Sequence, residues 1–412
     1  MKFNILLSKV KGMKKPACIV PWISLWPISD GRVLPCCTAD IRAEKSLLGN
    51  LNNQSFEEAF NSKNSMNLRK TFMSGQLDPD VCSECIKRED ANDSSNRTTI
   101  EEHFPNLTTE FFQNTREDGH FPDFKILYAD TLWSNICNFK CIHCNPNISS
   151  SIASDKILSG FYKHDGGRLK SLGEDRLQEF LTHIPHLEVI HFNGGEPLLM
   201  KQYYIILEKL LEQKRTDVKL WLHTNGCIPI GKSKKMYKLL SQFNSVNLTM
   251  SHDGYGSIGQ FVRSGYSDDL FIKNYWLAKE YLDNIIFAIS VHAFNVVQLP
   301  DLLNWYRDNN LRDELLNGLS VSIVYNPEHL GLWNLNQELK EKVSKSLSEW
   351  LEVNEPRPNA LVTLNTIIKL LRKDQSIEQY SKLQSLAKAH LQSSKKSFSD
   401  VYNGKFSHMT ID

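Results

Sequence analysis

The chain of 412 residues is 41% hydrophobic and 23% charged, the balance of a folded globular protein rather than a disordered or fibrous one. A formal net charge of +1 gives no electrostatic ground for nucleic acid or an anionic membrane as the partner. No apolar run reaches the length of a membrane span, and the apolar start of the chain is short and soon interrupted by Lys9 and Lys11, so it is expected in the cytoplasm.

Nine cysteines in a reducing compartment need a use other than disulfides, and their distribution supplies one. Cys18, Cys36, Cys37, Cys82 and Cys85 fall near the N-terminus, Cys137, Cys141 and Cys144 form a second group, and Cys227 stands alone. Clustering of this kind predicts metal ligands, and the solitary Cys227 reads as a small core or loop residue.

In chain order, residues 1–15 read as an N-terminal tail and residues 16–95 as a small cysteine-rich module. Asp30-Gly31 between apolar flanks predicts a hairpin that returns Cys36 towards Cys18. Ser55 and Glu58 form a capping box that opens a helix over 55–60. A second helix, from Ser65 to Met73, leads to the C-x2-C of Cys82 and Cys85. Residues 96–123 are polar and acidic, a linker with a helix over Thr99–Phe104; Phe104, Phe111, Phe112 and Phe121 predict that it docks rather than floats.

From 124 to 330 strand and helix signals alternate. Strands are expected at Phe124–Leu132, Leu187–Phe192, Val218–His223, Val246–Ser251, Ile285–Val291 and Leu319–Tyr325, all rich in β-branched and aromatic residues. Helical spacing appears in Leu177–Ile184, Tyr203–Leu211, Met236–Leu240, Tyr275–Tyr281 and Leu302–Tyr306, each stripe read as core packing. Strands joined by helical crossovers imply an α/β fold with a parallel sheet, curved or closed, and sites at the carboxyl ends of the strands. Residues 331–412 read as a C-terminal helical region, with helices over Leu335–Val353, Leu361–Leu371 and Ser376–His390.

The chemistry gathers at the ends of those strands. Cys137, Cys141 and Cys144 make a C-x3-C-x2-C run directly after the first strand. Three thiolates from one loop suit an iron–sulfur or zinc site, and a four-iron cubane with three protein ligands leaves one iron open to something else. The second strand ends in Asn193-Gly194-Gly195-Glu196-Pro197, the third in Thr224-Asn225-Gly226 and the fourth in Ser251-His252-Asp253-Gly254. Paired glycines let a ligand approach the backbone, and Glu196 beside them is placed to accept from a ligand ammonium, with Pro197 at the first position of a helix. Structural zinc is the competing reading of the triad, with His143 as fourth ligand, but its adjacency to Cys144 would strain a tetrahedral site. Zinc is also the competing reading of the N-terminal cysteines, and a stronger one than at the triad, because two pairs of cysteines make an ordinary zinc knuckle.

The order of cysteine triad, Gly-Gly-Glu-Pro and Ser-x-Asp-Gly resembles the radical SAM enzymes over roughly residues 125–330. That resemblance implies a partial (β/α)6 TIM-like barrel. It implies that Cys137, Cys141 and Cys144 bind a [4Fe–4S] cluster whose fourth iron is chelated by S-adenosylmethionine. Gly194, Gly195, Glu196 and Pro197 would hold the methionine end. Ser251, Asp253 and Arg263 would lie near the ribose and carboxylate, and His143, where the family has an aromatic residue, near the adenine. The activity implied is reductive cleavage to a 5′-deoxyadenosyl radical that abstracts hydrogen from a substrate, with electrons from a partner such as flavodoxin or ferredoxin.

The N-terminal module resembles the SPASM and twitch domains, which hold auxiliary clusters; the C-x12-G-x4-C of Cys18, Gly31 and Cys36 fits their opening pattern. Cys18, Cys36, Cys82 and Cys85 would ligate one auxiliary [4Fe–4S] cluster, with Cys37 an alternate or adjacent thiol. Here the module precedes the barrel, whereas in most such enzymes it follows it. SPASM and twitch relatives imply a peptide or protein side chain as substrate; a small molecule such as a sugar or nucleotide is the alternative, and a non-catalytic iron–sulfur or zinc scaffold the second.

Overall fold

The computed structural model describes residues 16–402 apart from 91–93, 106, 108, 165–166, 168, 312–318 and 357. The expected tail at 1–15 and the last part of the C-terminal region lie outside the described residues. Contacts divide the described chain into two compact units, the first from Met1–Ser134, Ser171–Phe192 and Glu208–Lys219, the second from Asn135–Lys170, Asn193–Leu207 and Leu220–Asp412.

In the first unit the expected hairpin forms: β1 (Trp26–Pro27) runs antiparallel to β2 (Arg32–Leu34), which pairs with β3 (Gly49–Asn50). Gly31 turns it at φ +97°, a region that disfavours a side chain, and Asp30 closes the turn by accepting from the Arg32 amide and guanidinium. The capping box at Ser55 and Glu58 opens the helix Phe56–Phe60, and the next helix runs Lys63–Met73. Arg69 on that helix is fully buried; its guanidinium donates to Gly119 O, Pro21 O, Phe60 O, Asn61 Oδ1 and Ser65 Oγ. These bonds tie the polar stretch before residue 124 into the unit, and Phe112 and Phe121 are buried against Trp22 and Phe60. Docking was the expectation, and the aromatic residues carry it.

Six strands form a parallel α/β sheet: β4 (Tyr128–Thr131), β6 (Val189–Phe192), β7 (Lys219–Thr224), β8 (Val246–Ser251), β10 (Ile285–Val291) and β11 (Leu319–Ile323), in the order β11-β10-β8-β7-β6-β4. Each is joined to the next through helices, among them Glu174–Leu181, Lys201–Glu212, Ile230–Leu240, Asp268–Lys279 and Leu299–Asp308. This is the expected partial barrel. Register is set by apolar residues: Leu222 lies opposite Leu248, Met250 opposite Phe287, and Ile289 opposite Val321. The first strand is shorter than its apolar run because Leu127 donates instead to Ile23 O and the Phe124 ring packs 4.7 Å from Phe60. A two-residue ribbon, β5 (Lys140–Cys141) antiparallel to β9 (Arg263–Ser264), lies outside this sheet and was not legible in the sequence. The C-terminal helices run Gln337–Val353, Pro358–Leu370, Ile377–Ser394 and Phe398–Tyr402.

One buried group in the second unit makes a measurable stability prediction. His252 lies between the Tyr306 hydroxyl at 2.9 Å and the Tyr266 hydroxyl at 2.7 Å, stacked on Phe271. Burial, with Arg263 nearby, holds it at about 3 against an ordinary 6.5. The unfolded chain takes a proton at this residue below 6.5 and the folded chain does not. Its contribution is therefore complete above pH 6.5 and is lost as pH falls towards 3, by roughly 1.4 kcal/mol per unit. His252→Phe is expected to cost about 1–3 kcal/mol at neutral pH, by orphaning the Tyr306 hydroxyl. It should also make the acid limb of a urea-unfolding series shallower; an unchanged limb would show that His252 is not held neutral.

Candidate metal centre and cofactor cradle

The cysteine loop lies wholly in the second unit. Ser149, Ser150 and Ser151, at the start of the next helix, pin it from below: Ser151 Oγ donates to Cys137 O at 2.7 Å, Ser149 Oγ to Phe139 O at 2.6 Å, and the Cys137 amide to Ser150 Oγ. Tyr162 donates to Cys144 O at 2.9 Å. Sγ of Cys141 and Cys144 and a nitrogen of His143 fall within 4.8 Å of one another, and Cys137 interacts electrostatically with both thiols.

The cysteines do not titrate alike. Cys144 donates to Cys141, which holds Cys141 below its ordinary value, and the Arg263 guanidinium, with Nη1 3.8 Å from that sulfur, acts in the same direction. Cys137 is pushed well up by burial and by Cys141. Sulfur in this setting becomes fully thiolate only when a cation is shared among the three, which is what an iron–sulfur cluster provides.

The Gly-Gly-Glu-Pro turn packs directly on this loop. The Glu196 amide donates to Ile136 O at 2.7 Å, and a Cβ on Gly195 would stand 2.1 Å from that same oxygen. Gly194 is at φ +87°. Gly195→Ala is accordingly expected to cost about 1–3 kcal/mol and to displace the cysteine loop, seen as reduced iron content after reconstitution. An alanine variant with normal stability and iron would show that the approach is not tight.

Glu196 is 1% exposed, and its carboxylate is directed into the fold. Oε1 accepts from Thr224 Oγ1 at 2.8 Å and from the Leu198 amide at 3.1 Å, and Oε2 accepts from the Asn225 amide at 2.8 Å. It thereby locks the ends of the second and third strands together, and it caps the short helix Pro197–Leu199 that Pro197 begins. Burial pushes it to about 7 despite these donors. An ammonium placed beside it would favour the ionised form.

Asp253 is held at the end of the fourth strand by the Ser290 amide on Oδ1 at 2.7 Å and by Arg263 Nε on Oδ2 at 2.7 Å. Arg263 is buried as well, and its strand partner is Cys141. Asp253 and Cys141 together keep the guanidinium charged against the cost of burial. His143 Nδ1 lies 3.7 Å from Asp253 Oδ2, and burial, then Arg263, hold it at about 3. Ser251 is the last residue of β8, opposite Ala288. His292 and Asn295 also border this rim, Asn295 donating to Asp253 O at 2.9 Å. Neither belongs to a motif in the sequence. Cys227 donates to Ser267 O at 3.4 Å, as a loop thiol would.

The N-terminal cysteines form a separate site in the first unit. Cys18, Cys36, Cys82 and Cys85 line one small cavity with Leu68 and Phe72. Burial pushes Cys18 well up, with Cys36, Cys82 and Cys85 as further causes, and Cys82 to about 12. Four mutually facing thiols in an apolar hollow fit a closed, four-ligand cluster. Thr38 Oγ1 bridges Cys36 and Cys85 at 3.5 and 3.7 Å. Cys37 is not among the lining residues; its thiol lies beside Asp130, which is 2% exposed and 3.6 Å from His191 Nδ1. The signal for Asp130 was present in the sequence, as a carboxylate inside an apolar strand.

Residues 131–306 match the radical SAM superfamily, and residues 18–86 match SPASM, an iron–sulfur cluster-binding domain. The chain is similar to the GTP 3′,8-cyclase of Campylobacter jejuni subsp. doylei, 26% identical over 197 residues, 47% of this chain and 51% of that protein. It is similar to the solved structure of native anSMEcpe with bound AdoMet, at 18% identity over 56% of this chain and 62% of that one, with a TM-score of 0.39. A second, of native anSMEcpe with bound AdoMet and Cp18Cys peptide, gives 16% identity over 55% of this chain and 59% of that one, with a TM-score of 0.38. The chain thus spans about half the length of the curated relative and less than two thirds of either solved chain. It carries a radical SAM domain with a SPASM domain ahead of it, and the cofactors these domains imply are a [4Fe–4S] cluster with S-adenosylmethionine and auxiliary iron–sulfur.

Proposed function

We propose that Cys137, Cys141 and Cys144 hold the cluster that cleaves S-adenosylmethionine, and that the substrate is a peptide or protein side chain. The observation that carries the first half is the cysteine loop itself: the thiols of Cys141 and Cys144 converge beside a buried cation, against a glycine turn with no room for a side chain. Held by Cys137, Cys141 and Cys144, such a cluster would supply the one electron needed for reductive cleavage of S-adenosylmethionine and, through it, hydrogen abstraction from the substrate.

The chain's own residues bind and orient. Gly194 and Gly195 give the methionine end access to the backbone, and Glu196 fixes that turn while placing negative charge near the ammonium. Ser251, Asp253 and Arg263 set the rim for the ribose and carboxylate, with His143 beside the adenine. Arg263 also favours thiolate at Cys141. Cys18, Cys36, Cys82 and Cys85 hold the auxiliary cluster. Electrons come from a flavodoxin- or ferredoxin-like donor in the cytoplasm; among the described residues no helix is long and apolar enough to cross a membrane.

The peptide reading draws on the SPASM domain, whose relatives modify peptides and protein side chains. A nucleotide substrate is the second reading, favoured by the similarity to a GTP 3′,8-cyclase. The two separate by isotope transfer. The reconstituted enzyme is given S-adenosylmethionine and either the peptide or the nucleotide fraction of a fully deuterated cell extract, and 5′-deoxyadenosine is examined by mass spectrometry. Deuterium from the peptide fraction supports the proposal; deuterium from the nucleotide fraction alone replaces it with the second reading.

A further inference from the structure

The hollow that gathers Cys18, Cys36, Cys82 and Cys85 is lined mainly by apolar side chains, Val20, Leu68, Phe72 and Val81 among them. A cubane held by four thiolates carries net negative charge, and one-electron reduction adds to it. An apolar surround resists that added charge unless a cation stands beside it. Among the described residues lining the hollow, Arg97 alone bears a charge.

The guanidinium is held in place from several sides. Arg97 lies in the first turn of the helix Asn96–His103, and its Nη1 donates at 3.0 Å to Ala17 O, the carbonyl just before Cys18. Nε donates to Glu89 Oε1 at 3.0 Å, and Nη2 donates to Glu89 Oε2. Glu89 stands one turn beyond Cys85 on the helix Ser83–Asp90, and Ser95 Oγ donates to it at 2.6 Å. Glu101 Oε2 is 3.8 Å from Nη1. Neither carboxylate lines the hollow, so the cation is nearer the four thiols than its countercharges are. Glu89 first, with Cys18 and Cys85 acting in the same direction, holds the guanidinium above its ordinary value against the cost of burial.

We propose that Arg97 raises the reduction potential of the cluster bound by Cys18, Cys36, Cys82 and Cys85, so that this centre carries an electron instead of serving only as a staple. This rests on the reading that these cysteines hold iron–sulfur rather than zinc. The electron added to the centre is one lost by the flavodoxin- or ferredoxin-like donor, and no bond is made or broken. Thr38 Oγ1, within 3.5 Å of Cys36 Sγ and 3.7 Å of Cys85 Sγ, acts in the same direction when it donates to a thiolate.

The test is an anaerobic dithionite titration of the full-length reconstituted holoenzyme, followed by electron paramagnetic resonance, with iron and zinc measured alongside. The auxiliary signal is the one that added S-adenosylmethionine leaves unchanged, because four thiolates leave no iron open. Arg97→Gln keeps a donor and removes the charge. It is expected to lower the ratio of reduced to oxidised cluster at a fixed potential about tenfold, a midpoint about 59 mV lower for a one-electron couple. Arg97→Lys, which keeps the charge, should hold that ratio within about threefold of the unaltered protein. Glu89→Gln removes the countercharge and should move the midpoint upward. A purely structural tie would not give shifts of opposite sign. An unchanged midpoint in Arg97→Gln, or shifts of the same sign in the Arg97→Gln and Glu89→Gln proteins, overturns the inference. If Arg97→Gln fails to hold the auxiliary iron, Glu89→Gln decides: an upward shift supports the inference, and no shift or a downward one overturns it. Zinc in place of iron at these cysteines in the unaltered protein overturns the cluster reading itself, and this inference with it.

Discussion

Cys141→Ala is expected to abolish formation of 5′-deoxyadenosine and to remove roughly four irons per chain, leaving the auxiliary iron in place. Cys141 is the most constrained of the three thiols. It accepts from Cys144, faces Arg263 Nη1 at 3.8 Å, and belongs to the ribbon that pairs with Arg263. Alanine leaves two sulfurs, too few to hold a cubane that already relies on a non-protein ligand at its fourth iron. Iron analysis and the absorbance of the reconstituted protein distinguish the outcomes. A variant with the full iron complement would remove Cys141 from the ligand set. Loss of all iron would mean that the two sites do not load independently.

The second large effect is expected at Arg263. Its guanidinium is buried with Asp253 at 2.7 Å, and each charge is tolerable only because of the other. Arg263→Met leaves the carboxylate unpaired, which should cost about 3–5 kcal/mol in unfolding free energy, read from denaturant midpoints. The same change removes the cation beside Cys141, so its thiol should titrate higher. A companion Asp253→Asn change should recover much of the stability without recovering cofactor binding, because the charge is then gone from the rim. Full recovery of both would reduce the pair to a structural device.

Much of this was legible in the sequence, for identifiable reasons. The strands at Val246–Ser251 and Ile285–Val291 fell where alternation and β-branching placed them, because both are held in register by apolar neighbours. The hairpin at Gly31 and the cap at Ser55 follow from local chemistry that tertiary structure had no cause to override. The cysteines declared themselves by spacing.

What escaped was non-local. The ribbon of Lys140–Cys141 with Arg263–Ser264 is two residues long on each side, so it has no periodicity, yet it brings Arg263 to the cysteine loop. The hydrogen bonds of Glu196 to Thr224 and Asn225 depend on which strands are neighbours. Polar residues one step past a strand, like His292, or inside one, like Asp130 and His191, look the same in sequence whether they serve a site or a core. His292 and His252 are both fully buried, but among the described residues His292 Nε2 has no partner, whereas both nitrogens of His252 are engaged.

The central claim is that the Cys137–Cys141–Cys144 loop supports one-electron cleavage of S-adenosylmethionine. It is tested most directly by anaerobic reconstitution, chemical reduction and chromatography of the nucleoside products. The unaltered protein is expected to form 5′-deoxyadenosine and methionine in equal amounts and Cys141→Ala none; a fully loaded, reduced protein that forms neither product would contradict it.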